Sequence, residues 1–143
     1  MSVELPFAPV DGLIRRNAAD FRVSAAAAET LARHIQTHGA ELAVEAAARA
    51  KADGRRTLYS EDFSIEDPPG RGELALPIAP VDRIARLRID NDIQVGEGAR
   101  LALAARLEEY ADTIAAGATL LARHADRRTV KSEDIDTYVL LKP

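Results

Sequence analysis

Residues 123–135, RHADRRTVKSEDI, crowd four basic residues, three acidic residues and a histidine into thirteen positions. Guanidinium groups suit phosphate oxygens, because arginine presents a fixed fork of donors that matches an oxyanion. Carboxylates in the same stretch suit two other tasks: pairing with arginine, or offsetting the positive end of a helix. The chain carries nearly the same stretch earlier, KADGRRTLYSEDF at 51–63, with Thr57 and Asp62 each 72 residues before Thr129 and Asp134.

Other candidate chemistry is thinner. His34 and His38 stand four apart, a spacing that can hold a metal, but no acidic residue or cysteine completes the set. A packed or surface pair is the expected role, and no metal or other cofactor is expected. Gly96-Glu97-Gly98 opens a helix without matching a phosphate-loop pattern. No Ser/His/Asp arrangement or close carboxylate pair points to catalysis, so neither an enzyme nor a small-molecule substrate is expected.

Composition bounds the rest. Of 143 residues, 47% are hydrophobic and only 4% aromatic, so the core must be built from Ala, Leu, Ile and Val, which favours helices that meet closely. The absence of cysteine excludes disulfides and thiolate metal sites. The N-terminus, MSVELPFAPV, lacks the pattern of a signal peptide, and no apolar stretch approaches the ~18 residues of a spanning helix. A soluble, cytoplasmic protein with no membrane partner is expected. The net charge of −4 taken alone argues against nucleic acid, but the location of the basic groups decides the matter. These are nearly all arginine, with lysine only at 51, 131 and 142, a bias that fits a GC-rich genome or a high-salt organism.

The elements that must position these residues are written twice. LPFAPV at 5–10 returns as LPIAPV at 76–81. Each half opens with a short amphipathic helix, carried by Val10, Leu13 and Ile14 and then by Val81, Ile84 and Leu87, with Pro9 and Pro80 in the tolerant first turn. A break follows, and then a long helix. One is capped by Ser24 and runs to about Ala52 along a face of Leu31, Ile35, His38, Leu42, Ala46 and Arg49. The other shows Leu103, Leu107, Tyr110, Ile114, Ala118 and Leu121 at the same spacing. Each would be roughly 40 Å long, so neither can cover its apolar face within its own half, and each half supplies the other's partner. Gly54 stops the first long helix and Asp126 takes that place in the second. Third helices capped by Ser60 and Ser132 follow, the first stopping within about two turns. The expected architecture is all-α: short–long–short helix over 1–66, a linker at 67–73, and the same again over 74–143.

LPIAPVDRI, the long helix ending LLARHADRRTVKSEDI and the weaker copy in front together resemble the archaeal histone family, specifically a fused histone doublet of the haloarchaeal kind. The resemblance covers nearly the whole chain except the linker. It implies two tandem histone folds packed as an intramolecular pseudodimer that contacts the minor groove and phosphates of bent or wrapped double-stranded DNA, largely independent of sequence. It implies further that the loop after the first helix of one half lies beside the loop after the long helix of the other. Carried over residue by residue, the DNA contacts fall on Arg22, absent from the second half at Gln94; on Arg56, Thr57, Arg128 and Thr129; on Lys131, replaced by Tyr59 in the first half; and on Arg83, with Arg15, Arg16 and Arg86 keeping charge nearby. One end would be complete and the other depleted. Arg55 with Asp62, and Arg127 with Asp134, would pin each loop to the third helix. Leu121, His124 and Asp134 would form a contact to a second molecule; the first half has Arg49 and Ala52 there, so only the second would self-associate. A nucleoid or chromosome-associated location follows, whether as packaging protein or, alternatively, as a histone-fold transcriptional regulator or protein-interaction module with little general DNA packaging.

Overall fold

The computed structural model describes residues 2–142. Five α-helices form the body: α1 (Phe7–Arg15), α2 (Ala25–Ala52), α3 (Ile78–Ala85), α4 (Glu97–His124) and α5 (Ser132–Leu141). Pro6 and Pro77 lead into α1 and α3 from extended backbone, and Pro9 and Pro80 fall where the first turn has no use for an N–H donor. The Ser24 side chain accepts the Ala27 N–H and caps α2, whereas Gly96, its counterpart before α4, offers no such group.

The two long helices, 28 residues each, meet at their midpoints. His38 and Tyr110, equivalent positions 72 residues apart, stack there with ring centroids 3.9 Å apart and planes 9° from parallel. Gly39 lies against Leu107 and Ile84 with no room for a Cβ, and Ala43, Ala46, Ala115, Ala118, Leu31, Ile35, Leu107 and Ile114 are all buried. Helices α1, α3 and α5 each pack against both α2 and α4, so one core serves both halves.

Four two-residue strands join the halves at their ends: β1 (Arg22–Val23), β2 (Thr57–Leu58), β3 (Gln94–Val95) and β4 (Thr129–Val130). β1 pairs in parallel with β4 and β2 with β3, setting Arg22 against Thr129 and Thr57 against Gln94. Gly54 and Asp126 end the long helices in the left-handed region, at φ 72° and 64°.

Two expectations need correction. Ser60 and Ser132 are not the caps of the third helices; Tyr59 and Lys131 occupy the cap positions, and their N–H groups donate to Asp62 and Asp134 at 2.7 and 2.8 Å. The first third helix stops within two turns, as its sequence indicates. It is a single 3-10 turn, Ser60–Phe63, closed by Ser64 at φ 63°. Arg49 and Arg106 donate to the Asp62 and Phe63 carbonyls, both at 2.7 Å, satisfying acceptors that a longer helix would have used. Leu87, placed on the buried face, is 44% exposed because α3 ends at Ala85. Within the 67–73 segment, Arg71–Glu73 form a second 3-10 turn.

α5 seats against α4 through one close approach. A Cβ added to Gly117 would lie 2.1 Å from the Tyr138 ring, so only glycine lets that ring lie flat on the helix. Gly117→Ala is expected to cost about 1–3 kcal/mol by overpacking and to loosen α5. A thermal melt unchanged from wild type would show that Tyr138 can move aside freely.

Candidate nucleic-acid interface

Each end of the molecule joins two loops from opposite halves, and backbone bonds fix which side chains face outward. At the first end the Arg22 N–H donates to the Arg128 carbonyl at 2.9 Å and the Ser24 N–H to the Val130 carbonyl at 3.0 Å. Alternation along the pair buries Val23 and Val130 and turns Arg22 into solvent. Arg128, Thr129 and Lys131 adjoin it. The Phe21 ring, buried beneath, lies 5.3 Å from the guanidinium carbons of both Arg123 and Arg128, holding two cations over an apolar seat.

The second end repeats the backbone and not the side chains. The Gln94 N–H donates to the Arg56 carbonyl at 2.8 Å, and Gln94 is exposed where Arg22 was. Tyr59 stands in the place of Lys131, with the Arg55 guanidinium 4.7 Å above its ring. Ile93 replaces Phe21, and a pocket of about 500 Å3 opens there, with Val44, Ala47, Ile89 and Ile93 in its wall.

Behind each exposed arginine sits a clamp. Arg127 donates both Nη groups to Asp134, at 2.8 and 2.6 Å, and also to the Thr129 carbonyl at 3.1 Å. Arg55 does the same to Asp62, both bonds at 2.9 Å, and to the Thr57 carbonyl at 2.9 Å. The Arg55 guanidinium and the Tyr59 N–H hold the Asp62 carboxyl below the usual carboxylate range despite its burial. Burial pushes Asp134 upward, but Arg127 and the Lys131 N–H outweigh it, and the net shift is down. Bidentate geometry makes these two pairs stronger than ordinary surface ion pairs.

The arginines near the short helices are spoken for inside the chain. Arg15 pairs with Asp11 and Arg86 with Asp82, equivalent i, i+4 pairs at 2.7 and 3.0 Å, while Arg83 reaches Glu4 at 2.8 Å. Arg16 departs furthest from expectation. Its Nε and Nη2 grip Asp112 at 2.9 and 2.8 Å, and Asn17 donates to the same carboxylate, so Arg16 ties α1 to α4 across the halves rather than facing a ligand. Leu121 is partly exposed and His124, the last residue of α4, is exposed, but Asp134 is only 4% exposed and turned to Arg127. In the first half, the position of Leu121 is held by Arg49, engaged with the Asp62 carbonyl. His34 contacts Asp136 at 2.7 Å and His38 stacks on Tyr110; among the described residues no group of three metal-ligating side chains converges.

Both halves match one family model, described as histone-like transcription factor (CBF/NF-Y) and archaeal histone, over residues 3–65 and 74–139. The chain belongs to that family. Its body is a pair of tandem histone folds packed as an intramolecular pseudodimer. One subunit of the archaeal histone HAN1 of Thermococcus zilligii is 52% identical over 60 residues, which are 42% of this chain and 87% of that one. The crystal structure of the histone from Methanopyrus kandleri superposes with a TM-score of 0.72 at 22% identity, covering 94% of this chain and 92% of that one. A crystal structure from Thermus thermophilus gives 0.71 at 18% identity, covering 94% of each. At such identities the two structures bear on the histone fold alone.

Two acidic residues escaped the sequence reading. Asp20 forms an ion pair with Arg128, and Asp92 with Arg56, each across the histone-fold pair. The signal was available: Asp20 and Asp92 are themselves 72 residues apart. Phe21 and Arg123 were missed as well, because a cation seated on a ring from the other half leaves no local spacing pattern.

Because the folded-state pKa values of Asp62 and Asp134 are depressed, their contribution to stability is present above the unfolded value of 3.8 and is lost as pH falls through the lower folded values. Thermal melts are expected to lose stability steeply below about pH 4. Asp134→Asn should lower the melting temperature near neutrality and flatten that acid limb; a variant with the wild-type acid limb would remove the clamp from the account.

Proposed function

We propose that this histone-like protein binds double-stranded DNA without reading a base code, as a single-chain doublet of the haloarchaeal kind associated with the nucleoid. The observation that carries this reading is the parallel pairing of β1 with β4, which sets exposed Arg22 against Thr129 with Arg128 and Lys131 alongside. An arginine projecting between two basic loops suits a minor groove, and the hydroxyl and flanking cations suit its phosphates. The end bearing Arg56, Thr57 and Gln94 contributes less, and Arg15, Arg83 and Arg86 add charge along the path between. The role is non-enzymatic, and preference among DNA sites follows bendability.

A second reading is favoured by the acid that surrounds these arginines. With Arg15, Arg83 and Arg86 paired inside the chain and a net charge of −4, general packaging is weak and the protein acts at particular sites as a regulator or an interaction module. Regular protected lengths along a chromosome favour packaging; scattered sites favour regulation.

Self-association runs through the second half alone, with Leu121 and His124 at the contact and Asp134 behind them. A molecular mass of two chains at most is the expected outcome on DNA and off it, and long filaments would refute the one-sided scheme.

The affinity for a short duplex, measured against salt, tests the DNA site. Arg22→Ala should weaken binding several-fold. Gln94→Ala should change little, and equal losses from the two variants would remove the asymmetry between ends.

A further inference from the structure

We infer that Asp20 and Asp92 are competing anions built into the two DNA-facing ends, each occupying the arginine that a phosphate would otherwise take and so setting the affinity and salt dependence of binding; this rests on the DNA-binding reading above. Asp20 pairs with Arg128 and Asp92 with Arg56, and in each case the carboxylate comes from the half opposite the arginine. Both pairs are open to solvent: the side chains of Arg128 and Asp20 are 67% and 73% exposed, those of Arg56 and Asp92 76% and 55%. Ion pairs so exposed contribute little to folding, so holding the molecule together does not account for them.

The backbone sets up both pairs: the Arg22 N–H donates to the Arg128 carbonyl and the Gln94 N–H to the Arg56 carbonyl, which brings the segment two residues before each donor alongside the arginine. The same acid stands at the same place in both ends, 72 residues apart, so the pair is kept along with its arginine even though Arg22, Phe21 and Lys131 have all been replaced in the second. At the first end Phe21 lies beneath Arg128, so a phosphate that displaces the carboxylate meets a guanidinium already seated. The second end lacks that ring.

A carboxylate within ion-pair distance of the phosphate position opposes binding by one unit charge, an effect of roughly fivefold at about 4 Å in water. It also withholds one cation from the counterion exchange that drives association, which flattens the salt dependence. The full chain and its Asp20→Asn, Asp92→Asn and Glu109→Gln variants would be titrated with a short duplex from about 50 mM salt upward. Glu109 is exposed midway along α4 beside Val139 and Lys142, and its loss changes net charge equally. Asp20→Asn is expected to tighten binding about fivefold at the low-salt end and to steepen the slope by about 0.9. Asp92→Asn should shift the same way by less, and Glu109→Gln by less than about twofold. Wild-type affinity in both aspartate variants, or an equal gain from Glu109→Gln, overturns the inference and leaves the DNA site standing. No binding by any of the four proteins at about 50 mM salt removes the DNA-binding reading itself, and the inference with it.

Discussion

Two helices of 28 residues, each too long to bury its apolar face within its own half, must cover one another, and the other contacts follow from that need. Their meeting at His38 and Tyr110 fixes a pseudo-twofold relation, which carries each end of one long helix toward the loop that opens the other half. The two parallel strand pairs result from this. Neither half could build one of these ends alone, since every exposed arginine of a loop after a long helix lies beside residues contributed by the other half. The stacking of His38 on Tyr110 at the crossing and the exposure of Arg22 at the periphery are thus one arrangement seen at two distances from its centre.

Charge in this molecule is sorted by depth. The half-buried arginines, Arg55 and Arg127, direct their donors to buried carboxylates and to the carbonyls of Thr57 and Thr129, fixing the backbone whose outer residues face solvent. Arg56 and Arg128, at the loop ends, make exposed pairs that solvent screens and a stronger anion can exchange. The most deeply buried carboxylates of the loop ends, Asp62 and Asp134, are thus held at the clamps, while Arg22, Arg56 and Arg128 stay open to solvent.

Much of this was legible in the sequence. The repeat, the spans of the long helices and the left-handed stops at Gly54 and Asp126 follow from local pattern, and the pairing of loops across the halves was implied by the family resemblance. What escaped depended on side-chain partners that spacing alone does not assign. Arg16 looked like one of several arginines on a short helix until Asp112, 96 residues away, took both its donors. The caps of the third helices fell one residue earlier than the serines suggested, because Asp62 and Asp134 supply the accepting oxygen from inside the turn. The truncation of the first third helix was visible in its prolines, but its depth was not, since Arg49 and Arg106 stabilise so short a turn from two other helices.

The chain between the two family matches, 3–65 and 74–139, does more than bridge two similar halves. Two histone folds on separate chains are held together only at concentrations above their dissociation constant, and at dilution such a pair falls apart and unfolds. Here the partner is always present at the high effective concentration that a short tether imposes. Folding becomes a first-order event, indifferent to how many copies the cell makes. A scarce protein of this kind is as well folded as an abundant one, and its two unlike ends always travel together in the same ratio and the same orientation.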